Sequence, residues 1–136
     1  MFESTIAKAA VLAVFLPVVA GQGGIGGTQT LTLTVRSIAL GELPGNRGRK
    51  LLLHEATLGI LNGIYLGLVV AIICSLWIGN PLIGLVLGVA MFGNMVIAGV
   101  VGASIPLILR KIRQDPAISS AVVVTTFTDI VGFLLF

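Results

Sequence analysis

Near the end of the chain, VVVTTFTDIVGFLLF (residues 122–136) sets one carboxylate, Asp129, in a run that is otherwise apolar, hydroxyl-bearing or glycine. At the centre of a bilayer an acidic side chain costs about 2.5–3.5 kcal/mol even on the insertion scale, so its presence calls for a function. Four and eight residues earlier stand Thr125 and Ala121, which share its face if the segment is helical. One stripe then offers a carboxylate, a hydroxyl or carbonyl, and a small residue that leaves room. That is an oxygen-rich lining for a hard cation or its water shell. The alternative is a protonated Asp129 bonded to a neighbouring helix.

A second stretch, PVVAGQGGIGGTQTLTLTVR (residues 17–36), puts a proline and a glycine cluster into an apolar run. Glycine permits backbone conformations that turn carbonyls out of the helical ladder, and interrupted helices in membranes are where ions meet such carbonyls. Gly23, Gly24, Gly27 and Gln29 are candidates for lining a wet path on this reading. The competing reading is close helix packing through small residues, with Gly23-x-x-x-Gly27 as the motif. The hydroxyl row Thr28, Thr30, Thr32 and Thr34 is too polar for a lipid face and favours the wet path.

These residues need elements to position them. The chain has 136 residues, 57% hydrophobic and 10% charged, with a mean hydropathy of +1.14. A water-soluble domain of this size is less apolar and needs more charge to coat its surface. The solvent is therefore lipid, and the expected fold is an all-α membrane protein: a four-helix transmembrane bundle with a glycine-broken first span. The spans are expected over about 4–35, 53–76, 81–109 and 117–136, each long enough to cross a bilayer. The single cysteine, Cys74, excludes an internal disulfide.

Orientation follows from the basic residues. Arg36, Arg47, Arg49 and Lys50 lie between the first two spans, and Arg110, Lys111 and Arg113 between the last two, whereas the turn at Trp77, Gly79, Asn80 and Pro81 is uncharged. By the positive-inside rule the loops 36–52 and 110–116 face the cytoplasm, and Trp77 sits at the outer interface. The net charge of +3 is then a topology signal, not a nucleic-acid patch. Both chain ends fall outside, an arrangement expected of a fragment that lacks a preceding span.

Other polar positions carry less information. Asn94 and Asn62, each beside glycine, either line a path or bond a neighbouring helix. Glu55, with His54 where the second span leaves the basic loop, is expected to pair with Arg49 or Lys50 at the interface. No zinc spacing, nucleotide loop or Ser/His/Asp set can be assembled, which argues against an enzyme.

FLPVVAGQGGIGGTQTLTLTVRSIALGE, then GNMVIAGVVGASIPLIL, then DPAISSAVVVTTFTDIVGFLLF, in this order and spacing, resemble the membrane domain of the MgtE family of magnesium channels and transporters. The rare elements that coincide are Pro17, the cluster ending Gly27-x-Gln29, Arg36 with Ala39-Leu40-Gly41-Glu42, Asp115-Pro116-Ala117, and Thr125-Thr126 with Asp129 and Gly132. The resemblance implies that the four spans are the second to fifth of five. It implies a homodimer in the inner membrane, with a pore on its axis lined by the first and last spans here. It also implies cytoplasmic regulatory domains, an amino-terminal helical domain and a tandem CBS pair, beyond this stretch. Asp129 would hold hydrated Mg2+ together with carbonyls near Ala121 and Thr125. Two departures, Ile25 in place of the usual Asn and Ala121-Val122 in place of Gly-Pro, keep Co2+ and Mn2+ in view as transported ions. Outside the channel reading stand two rivals: a proton-coupled carrier titrating Asp129, and a non-conducting membrane anchor or assembly module.

Overall fold

The computed structural model describes residues 2–42 and 47–135, which form α1 (Phe2–Ala39), α2 (Arg47–Ile78), α3 (Pro81–Lys111) and α4 (Pro116–Leu134). Among the described residues there is no strand. Residues 43–46, the middle of the loop predicted over 36–52, and Phe136 in the last predicted span lie outside the described residues, as does Met1. An all-helical chain is what hydrocarbon demands, because each backbone donor and acceptor closes within its own helix.

Local sequence sets the helix ends. Gly41 takes the left-handed conformation (φ 68°) that closes α1, and the Glu42 amide donates back to the Ser37 carbonyl at 3.1 Å. Gly79 (φ 70°) ends α2, after which the Asn80 side chain accepts from the Leu82 amide at 3.0 Å and Pro81 opens α3. The result is an antiparallel α2–α3 hairpin.

Its interface is built from missing side chains. Gly59, Gly63 and Gly67 recur every fourth residue on α2, and each is buried. A Cβ on Gly63 would stand 3.0 Å from the Phe92 carbonyl, and one on Gly67 would stand 2.7 Å from that of Gly88. The two backbones therefore touch directly, the contact that small residues allow where lipid supplies no hydrophobic drive between helices. α3 is the central element, packed against the other three, whereas α1 and α2 meet sparingly and α2 and α4 do not meet among the described residues. Leu87, Met91, Asn94 and Ala98 of α3 are fully buried or nearly so.

Neighbour relations give the direction of each helix. Gly24 lies against Thr125, Thr128 and Asp129, while Ala20 lies against Gly132, so α1 and α4 run antiparallel. Gly23 lies against Asn94 and Gly27 against Gly102, so α1 and α3 run parallel. Arg36 at the end of α1 and Arg110 and Lys111 at the end of α3 consequently reach the same end of the bundle. At the other end Trp77 packs edge-on against Phe15, ring centroids 6.2 Å apart. Both basic loops thus leave one pole, as the charge pattern predicts.

The outward surface is apolar: Leu76 is 80% exposed, Trp77 79% and Leu82 70%. In water such a surface would aggregate; in a bilayer it faces acyl chains. Among the described residues α2 and α3 are long and apolar enough to cross a membrane, and α4 contributes the shorter apolar helix Ala121–Leu134.

One expectation fails. The first span is not broken at its glycines: α1 is helical from Phe2 to Ala39, through Pro17 and the whole Gly21–Gly27 cluster. The helical ladder keeps the backbone groups paired, and the absent Cβ atoms are used for close approach instead. A Cβ on Gly27 would lie 2.6 Å from Val124 Cγ1, and one on Gly26 would lie 3.0 Å from Met95 Cε. Packing on both sides offsets the intrinsic cost of glycine in a helix, about 1 kcal/mol each.

Candidate functional site

Asp129 is half-buried on α4, two turns beyond Ala121. Among the described residues its carboxylate has no hydrogen-bond or ion-pair partner. Facing it across the helix crossing is Gly24 of α1. A Cβ placed there would be 3.9 Å from Asp129 Oδ1, 3.9 Å from Thr128 Oγ1 and 3.8 Å from Thr125 Cγ2. The missing side chain leaves about a methyl group's space between α1 and the carboxylate.

The hydroxyls beside it are already oriented. Thr125 Oγ1 donates to the Ala121 carbonyl at 3.0 Å or the Val122 carbonyl at 3.1 Å. Thr128, fully buried, donates to the Val124 or the Thr125 carbonyl, each at 3.0 Å. With their hydrogens spent on the backbone, both hydroxyls keep lone pairs, and that of half-buried Thr125 is the accessible one, as a cation or its waters require, whereas Thr128 is sealed in the helix contact. Ala121 is exposed, and Asp129, Thr125 and Ala121 occupy one stripe, as the spacing predicts.

The remaining candidates lie elsewhere. Gly23 packs directly on Asn94: its Cβ would fall 2.6 Å from Asn94 Cγ. Asn94 is completely buried, and its amide donates to the Val19 carbonyl at 2.7 Å. Among the described residues its Oδ1 has no hydrogen-bond partner. The same amide borders Gly132 of α4, so Asn94 ties three helices together. Gly27 is pressed between Val124 and α3. Gln29 lies on another side of α1 and lines a cavity with Thr30, Glu55 and Asn62.

Glu55 departs from expectation. Arg49 and Lys50 are exposed, but Glu55 is only 4% exposed and turns inward, accepting a hydrogen bond from Thr30 Oγ1 at 3.0 Å. The reason is register. Glu55 lies four residues before Gly59, on the same stripe as Gly63 and Gly67, and that stripe faces α3. The signal was present in the sequence as that four-residue spacing. Thr128, the second oriented hydroxyl beside Asp129, carried no signal apart from its proximity.

The MgtE family model, described as a divalent cation transporter, matches residues 16–136. Relatives named magnesium transporter MgtE occur in Enterococcus faecalis (33% identical over 135 residues) and Bacillus subtilis (33% over 135). A third, from Thermus thermophilus, is 36% identical over 135 residues. Each alignment covers 99% of this chain and 30% of the relative, so the chain spans about 30% of the length of the curated relatives it matches. With nearly its whole length matched by the family model, the chain belongs to the MgtE family.

Proposed function

We propose that this chain is the membrane part of a divalent cation transporter that passes Mg2+ along a path bordered by α1 and α4, with Asp129 holding the hydrated ion. The observation that carries the reading is the unpartnered, half-buried Asp129 carboxylate opposite the bare backbone of Gly24. Mg2+ keeps its waters, so the protein's task is to accept hydrogen bonds from the shell in octahedral order. Asp129 supplies charge, and Thr125 and the Ala121 carbonyl supply further acceptors. Gly23, Gly27 and Asn94 fix the separation of α1, α3 and α4, and Gln29 lies off this path. The names of the relatives support Mg2+ as the cargo. Co2+ and Mn2+ share its charge and hydration, and competition assays decide between them.

Function in this form needs all four helices to cross the inner membrane, with loops 36–52 and 110–116 in the cytoplasm, and two copies to pair. A homodimer places two Asp129 side chains around one ion, matching its charge. Cytoplasmic regulatory domains would belong to the part of the relatives that this chain does not cover. The family is one of transporters, so the role assigned is passage and not catalysis.

Mg2+ entry into dye-loaded liposomes tests this. Flux that persists without a proton gradient, is blocked by the hexa-ammine cobalt mimic of the hydrated ion, and falls at least tenfold in Asp129→Asn is the expected result. Flux that needs a proton gradient would identify a carrier, and flux indifferent to Asp129→Asn would refute the site.

A further inference from the structure

Glu55 has no part in the path just described. It meets α1 on another side: Gly24 faces Asp129, whereas Thr30, six residues on, faces Glu55. Six helical residues amount to about 9 Å along the axis and about 120° around it. Two carboxylates, from α4 and from α2, that flank different faces of α1 cannot serve the same ion.

The surroundings of Glu55 are those of a built site. Glu55 is more than nine-tenths buried, yet among the described residues its carboxylate accepts from a single neutral donor, Thr30 Oγ1 at 3.0 Å. A carboxylate has about four acceptor positions, and leaving most of them unused in a poorly solvated place is costly. Beside it a cavity of about 100 Å³ opens between α1 and α2, with Gln29, Thr30 and Asn62 on its walls and Met95 and Gly99 of α3 among the residues behind it. The backbone at Glu55 lies directly against α3, since a Cβ on Gly99 would stand 2.7 Å from the Glu55 carbonyl. The cavity between Gly63 and Phe92, by contrast, is lined by glycine and apolar side chains.

We propose that Glu55, with Thr30, Gln29 and Asn62, forms a second cation site, separate from Asp129, that takes a single alkali cation. Charge decides the class of ion. One carboxylate with neutral hydroxyl and amide oxygens balances one positive charge, whereas a divalent ion would leave an uncompensated charge in the cavity. No group of three or more His, Cys, Asp or Glu side chains is assembled among the described residues, as a site for a bare divalent metal would require. Because α1 and α2 meet sparingly, an ion shared between Thr30 and Glu55 also ties the pore-bordering helix to the α2–α3 hairpin.

The test is thermal unfolding of the full-length chain in lipid nanodiscs, at constant ionic strength, in NaCl, KCl or N-methylglucamine chloride. At least one alkali cation should raise the midpoint saturably, by about 2 °C or more over N-methylglucamine. Asp129→Asn should keep the effect and Glu55→Gln should lose it. Should Glu55→Gln fail to fold, the exposed pair Gln29→Leu and Asn62→Leu, which leaves the Thr30–Glu55 bond, should raise the half-saturating concentration about tenfold. No alkali effect in the parent, an effect surviving Glu55→Gln or unmoved by the Gln29→Leu, Asn62→Leu pair, or one lost in Asp129→Asn would overturn the proposal. So would Mg2+ reproducing the effect in Asp129→Asn at lower concentration than any alkali ion.

Discussion

Replacing Gly24 or Gly27 by alanine adds the same methyl group to the same helix, three residues apart, and the structure expects opposite outcomes. Each change gains about 0.5–1 kcal/mol of helix propensity. At Gly24 the new Cβ meets nothing closer than Thr125 Cγ2 at 3.8 Å and Asp129 Oδ1 at 3.9 Å, an ordinary contact. At Gly27 it would sit 2.6 Å from Val124 Cγ1, about 0.8 Å short of an ordinary 3.4 Å contact, and Val124 is a fully buried, β-branched side chain with a stiff χ1. Such overpacking costs about 1–3 kcal/mol, so Gly27→Ala should be less stable than Gly24→Ala by about that amount. Affinity should move the other way. The Gly24→Ala methyl occupies space where a water of the ion's shell would bridge to Asp129, and Mg2+ binding should weaken at least about threefold. Unfolding midpoints by circular dichroism in mixed micelles, and Mg2+ calorimetry, measure the two effects separately. Equal destabilisation by both substitutions, or undiminished Mg2+ affinity in Gly24→Ala, would refute the division of the glycine cluster into a lining member and a packing member.

Asn94→Ala removes the 2.7 Å bond to the Val19 carbonyl and empties space where three helices meet, so it should cost about 2 kcal/mol or more in the same unfolding assay. Trp77, the only tryptophan and 79% exposed, should be quenched more strongly by lipids brominated near the headgroup than by lipids brominated at the chain end. Single cysteines at Glu42 and Gln114, in a Cys74→Ser background, should react with impermeant thiol reagents only from the cytoplasmic side, and one at Gly79 only from outside.

The stripe of Asp129, Thr125 and Ala121 was legible because a helix repeats every 3.6 residues and the environment of a carboxylate in lipid is restrictive. The alternating direction of the helices was legible in the positions of Arg36 and Arg110. The continuity of α1 was not. A glycine cluster reads locally as a breaker, and only the partners Val124, Met95 and Asn94, distant in sequence, turn those glycines into contact surface. Glu55 misled for a related reason: adjacent basic residues suggest pairing, but the glycine register of α2 fixes which way the side chain points. Asn94 was ambiguous because an amide beside glycine suits a path or a helix junction equally, and its neighbours Val19 and Gly132 come from two other helices.

The central claim is that Asp129 holds a hydrated divalent cation by its charge. Asp129→Asn preserves size and hydrogen bonding while removing that charge, so a role in packing would survive and a role in ion binding would not. Mg2+ titration of backbone amide shifts near Thr125 to Gly132 reads the site itself. The account predicts a loss of affinity of tenfold or more, about 1.4 kcal/mol, in Asp129→Asn; an affinity within about twofold of the parent would contradict it.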